Sequence, residues 1–96
     1  MFQIGRKGVL RSEASDRLRT AILALTAQRA PKSICPSDAA HAVDAENWRV
    51  LMDDARAVAR ELARAGDVVI TQKGTTLDPD AHWRGPVRIT ARIEKL

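Results

Sequence analysis

A chain of 96 residues with 16 Lys and Arg against 12 Asp and Glu has room for one domain and a net charge of +4. With 45% hydrophobic and 29% charged residues it is composed like a globular domain, which excludes a disordered tail. No apolar run approaches the roughly 20 residues that span a bilayer, so no membrane partner is expected.

The one cysteine cannot close an internal disulfide, which suits a reducing compartment. The N-terminus has no apolar stretch of signal-peptide type, and the cytoplasm is the expected location. A pI near 10.0 leans weakly toward polyanionic partners.

Residues 1–11 read as a basic N-terminal arm, in which Arg6, Lys7 and Arg11 alternate with Gly5 and Gly8. Such an arm can enter a minor groove. The plainer reading has it docked loosely through Phe2, Ile4, Val9 and Leu10. The domain proper is expected over residues 12–96.

Its first helix should start at Ser12 or Ser15, with Glu13 and Asp16 favouring the positive helix end. Leu18, Ala21, Ile22 and Leu25 form its apolar stripe. Pro31 disfavours helical geometry at the preceding residue and should end it near Arg29. A short extended piece follows around Ile34 and Cys35. Ser37 then offers a cap for a brief alanine-rich helix over about Asp38 to Val43.

A long helix is expected from Asp44 or Glu46 to Ala65. Trp48, Leu51, Met52, Ala55, Val58, Ala59 and Leu62 recur at three- and four-residue steps and mark its buried face. Leu51 and Leu62 should meet the first helix and the sheet. Arg49, Asp53, Arg56, Arg60 and Arg64 project on the opposite face, away from the core. Gly66 can supply a left-handed cap.

Val68 to Lys73 is rich in β-branched residues and reads as a strand. Val87 to Glu94 alternates apolar and polar residues with the period of a half-buried strand. The segment between them, from Gly74 to Pro86, is too long for a tight hairpin and is broken at Asp78-Pro79 and Gly85-Pro86. Short helix, turn, long helix and paired strands together predict an α+β winged helix. It has three helices, a helix-turn-helix core and a two- or three-stranded antiparallel wing, with the third strand near Ile34.

Several residues together carry a family resemblance: Cys35-Pro36-Ser37, Trp48-Arg49 with Met52 and Arg56, Gln72 to Gly74, Asp78-Pro79, and Gly85-Pro86-Val87-Arg88. In this ordered set the chain resembles the bacterial domain-of-unknown-function family 3253 over about Leu18 to Arg92. The resemblance implies a small winged-helix-like protein and brings no substrate with it. Relatives tend to have an arginine near the position of His41 and a shorter loop where this chain has His82-Trp83.

For chemistry the sequence offers little. Cys35 precedes a helix start, where amide dipoles can activate a thiol. Only His41 stands near as a base, so a buried, inert cysteine and no enzyme are expected. Cys35, His41 and His82 match no zinc spacing, and Gly74 belongs to no phosphate loop; no metal, no cofactor and no small-molecule ligand are expected. Asp53 and Asp54 are adjacent on a helix, point about 100° apart, and cannot share a proton. Trp48 reads as a core anchor. Trp83 either covers the sheet edge or is exposed to a partner.

The arginine stripe is the sharpest feature. Arg49, Arg56, Arg60 and Arg64 on the long helix, with Arg88 on the wing, are the expected contacts to double-stranded DNA. The structural reading gives the stripe to surface ion pairs Arg49–Asp53 and Asp53–Arg56, each worth about 0.2–0.5 kcal/mol. Two functions follow: a DNA-binding or regulatory domain, or a winged helix that binds a protein partner or forms a homodimer.

Overall fold

The computed structural model describes the backbone of residues 6–92 and the side chains of residues 13–92. Helices α1 (Arg6–Arg29), α2 (Pro36–Val43) and α3 (Met52–Ala65) are followed by strands β1 (Val68–Gln72), β2 (Thr75–Thr76) and β3 (Arg88–Ala91). A 3-10 turn over Trp48–Leu51 leads into α3. The architecture is α+β: three helices and a three-stranded antiparallel sheet of winged-helix type.

α1 begins earlier than Ser12 or Ser15. Residues 6–11, read above as part of an arm, are helical, whereas residues 1–5 lie outside the described residues. Gly8 costs about 1 kcal/mol inside a helix, but Arg6, Lys7, Leu10 and Arg11 are good helix formers, so one glycine does not stop propagation. The far end agrees with the sequence: α1 stops at Arg29, ahead of a cis Ala30–Pro31 bond.

The cap of α2 is Cys35, not Ser37, and Pro36 is its first residue. Proline suits that place because its missing N–H would be unpaired there anyway. Asp38 reaches back, its Oδ2 accepting from the Cys35 amide at 2.9 Å. After α2, Asp44 Oδ1 accepts from the amides of Glu46 and Asn47 at 3.2 and 3.1 Å. That turn delays the long helix. A 3-10 turn advances about 120° per residue, so Trp48, Arg49 and Leu51 lie out of phase with the 100° projection of α3.

α3 buries Ala55, Val58, Ala59 and Leu62. They pack on Leu18 and Ile22 of α1, on Ala39 and Ala40 of α2, and on Val68, Ile70 and Ile89 of the sheet. Gly66 ends the helix at φ +87°, and the amides of Gly66 and Asp67 return to the carbonyls of Ala63 and Leu62 at 3.1 and 2.9 Å. Leu51, expected in the core, is half-buried at its margin.

The sheet order is β2-β1-β3. A tight hairpin does exist: β1 turns into β2 through Lys73 and Gly74, at φ +53° and +83°. This is the left-handed pair that a two-residue hairpin requires. The chain then loops through residues 77–87 to the other edge of β1, where β3 pairs Ile89 with Ile70. Ile34 adds one bridge on the outer side of β3, exchanging both hydrogen bonds with Ile89 at 2.8 and 2.7 Å. Val87 and Ile89 are buried as their alternation predicts, while Ile93 and Glu94 lie outside the described residues.

Candidate functional site

Arg56, Arg60 and Arg64 follow one another at four-residue steps along α3 and share a stripe. The 77–87 loop lies across that stripe and leaves Arg64 exposed at its end. Arg60 Nη1 donates to the carbonyls of Pro79 and Ala81 at 2.6 and 2.7 Å. The same guanidinium stacks on Trp83, with Cζ 4.2 Å from the ring centroid. Arg56 donates to Gly85 O at 3.3 Å and lies 5.9 Å from the Trp83 ring. Arg64 Nε meets Asp80 Oδ1 at 2.6 Å.

Trp83 is the pivot. It is only 6% exposed, belongs to the main core, and satisfies its indole N–H on Asp78 O at 3.0 Å. The side-chain amide of Gln72 holds the far limb of the loop through the carbonyls of Arg84 and Pro86. Arginine suits this duty, because its planar fork can stack on an aromatic face and still donate at its rim. The sequence projection correctly puts the arginines opposite the apolar stripe, but the loop turns Arg56 and Arg60 into half-buried structural groups.

Arg88, on β3, is likewise engaged within the fold. Nε donates to Ser33 Oγ at 2.8 Å, Nη2 to Ser33 O at 3.1 Å, and Nη1 to Cys35 Sγ. Cys35 is half-buried, not fully enclosed as expected, because it caps α2 at the surface under the Arg88 fork. His41 stacks on Trp48, with ring centroids 4.3 Å apart at 25°. Among the described residues no group of three His, Cys, Asp or Glu could hold a metal ion.

Arg49 is separated from its three partners because it lies on the 3-10 turn. Its guanidinium carbon is 4.5 Å from the Trp48 ring centroid. Neither Arg49–Asp53 nor Asp53–Arg56 forms an ion pair; the described pairs are Arg19 with Asp16 and Glu61, Arg29–Asp38 and Arg64–Asp80. The structure therefore gathers Arg56, Arg60 and Arg64 under one loop and places Arg49 and Arg88 at two other sites.

The head of α3 looks different. Val50 is 75% exposed, beside the half-buried Trp48 and the exposed Arg49. Asp44 and Glu46 lie on the turn just before these residues, and Asp53 and Asp54 on the first turn of α3. Sequence reasoning passed over Val50, which falls on neither the apolar stripe nor the arginine stripe of the expected helix. It also missed the grip of Arg56 and Arg60 on the loop, for which no local pattern exists.

Compared with known families, residues 15–92 match the model of a protein family of unknown function, DUF3253. The chain belongs to that family. Its matched span begins in α1 and ends just after β3, so it takes in the arginine stripe, the loop that covers it and the head of α3. No curated protein matches the chain. No helix among the described residues is long and apolar enough to cross a membrane.

Proposed function

We propose that the domain is a non-catalytic, cytoplasmic protein-interaction module that meets its partner with the head of α3. The observation that carries this reading is the engagement of the arginines. Arg56, Arg60 and Arg64 hold the 77–87 loop and Arg88 holds the segment at Ser33 and Cys35. A phosphate backbone would have to displace those partners.

What the head of α3 offers instead is a protruding Val50 next to a Trp48–Arg49 stack. Tryptophan and arginine are enriched where binding energy concentrates at protein interfaces. The carboxylates of Asp44, Glu46 and Asp53 would repel a phosphate backbone at the place where a winged helix enters a major groove.

The test compares partner capture from cell extract by the wild type and by Val50→Arg. Val50 is exposed, so this substitution should change stability by less than about 0.5 kcal/mol. Loss of a reproducible partner with the fold intact is the expected result. If capture is indifferent to Val50, and tight duplex DNA binding is lost in Arg49→Ala, the DNA-binding reading through Arg49, Arg56, Arg60, Arg64 and Arg88 takes its place.

A further inference from the structure

A second surface lies along α1. Ala21 and Ala24 of α1 face Ala42 and Val43 of α2 across a hollow of about 400 Å³. A second hollow of about 190 Å³ lies between Glu13, Ala14, Val43, Asp44 and Leu51. Arg17 and Val43 line both, so the two hollows adjoin along α1 as a shallow groove. From Glu13 to Ala24 it follows α1 for about 16 Å at 1.5 Å per residue, or three helical turns.

Alanines set the shape of this groove. Their short side chains let another backbone approach to the near end of the 8–10 Å range of packed helices. Ala24 and Ala42 are exposed and Ala21 and Val43 half-buried, so apolar surface here has no cover among the described residues.

Charge supplies the direction. The hollow at one end is lined by Glu13 and Asp44; Glu13 makes no ion pair among the described residues, and Asp44 accepts from the amides of Glu46 and Asn47. Asp16 lines the other hollow but is held by Arg19 at 3.2 Å. Arg17, between the hollows, can lay its stem on the apolar floor while its head stays in water.

We propose that the groove receives an amphipathic helix of another protein, apolar over about three turns and basic at the end that meets Glu13 and Asp44. The occupant would present anchors at i, i+4 and i+7, as helix-in-groove ligands do. The carboxylates would set its direction more than its affinity. This proposal rests on the protein-interaction reading and adds a second contact, which adjoins the head of α3 at Asp44 and Leu51, with a partner of defined chemistry.

The test uses two synthetic peptides of about 14 residues with leucines at those anchor positions. They differ only in lysines or glutamates at one end, and fluorescence anisotropy against the full chain reads their affinities. The basic-ended peptide should bind about tenfold more tightly than the acidic-ended one. Ala42→Trp should fill the groove and lower its affinity at least about tenfold, with circular dichroism unchanged. Glu13→Lys should reverse the preference between the two peptides.

Equal binding of both peptides, no binding of either, or indifference to Ala42→Trp would overturn the proposal. So would self-association of the wild type that Ala42→Trp abolishes, since the occupant would then be a second copy. Partner capture that depends on Val50 while both peptides fail would sink this proposal and leave the interaction module standing.

Discussion

Leu62 is 4% exposed and packs where α3 meets the rest of the core. Truncation to alanine should cost about 2–5 kcal/mol, because the cavity cannot collapse fully. Leu51 is half-buried on the 3-10 turn, so its loss should fall to about 1–2 kcal/mol, in proportion to the apolar area it hides. Denaturant unfolding of the two variants measures the difference, and equal costs would mean that Leu51 is a core residue after all. Gly66 is a cleaner case. A Cβ there would meet nothing within 4 Å, so Gly66→Ala tests only its left-handed φ of +87°. The expected loss is about 1–2 kcal/mol, and asparagine should recover part of it because it tolerates this region. Full stability in the alanine variant would show that the helix ends differently.

At the scale of elements, the 77–87 loop is held by α3 and not by neighbours in sequence. Trp83→Ala should cost about 3–5 kcal/mol, as for other buried aromatics, and should open the loop to proteases. Arg60→Ala removes two carbonyl partners and the cation over the ring, and should cost about 1–3 kcal/mol. A surface arginine would change stability by less than about 0.5 kcal/mol, so this variant distinguishes a structural arginine from one waiting for a ligand. Asp80→Asn should be nearly silent, since its pair with Arg64 is more than half exposed on both sides and such pairs are worth about 0–1 kcal/mol. The Arg88 fork gives a separate test. It packs on Cys35 Sγ, so Arg88→Ala should uncover the thiol and speed its labelling several-fold. Unchanged labelling would place the limit elsewhere.

For the whole molecule, a net charge of +4 is a sum over unlike regions. Carboxylates cluster at the head of α3, whereas Lys73 and Arg84 lie exposed in the β1–β2 turn and the loop after β2. No continuous basic band runs along α3, because the loop half-buries Arg56 and Arg60 and Arg64 is paired with Asp80. Binding to mixed-sequence duplex DNA should therefore be weak, near the 10⁻⁴–10⁻⁶ M of non-specific association. Its salt dependence should be shallow, since each phosphate neutralised contributes only about 0.9 to the logarithmic slope. Anisotropy titrations across salt concentration measure this. Arg17→Ala and Arg49→Ala should each produce similar small losses. A steep slope that collapses only with Arg49→Ala would restore the recognition-helix function.

Local sequence alone located α3, the Gly66 cap, the end of α1 before Pro31 and the buried side of β3. It could do so because each depends on local geometry: apolar spacing, a left-handed residue, the restriction before proline, and strand alternation. The start of α1 and the 3-10 entry to α3 escaped it, since both balance weak local preferences. The candidate site was legible only by half. A helical projection shows that Arg56, Arg60 and Arg64 lie opposite the core, and it is right. It cannot show what lies over them, because their acceptors are 16 to 29 residues away and are brought there only by the return of the chain from β2 to β3. Sequence determined which face of the long helix is charged. Tertiary structure decided that three of these arginines hold a loop and that Val50 is left in the open.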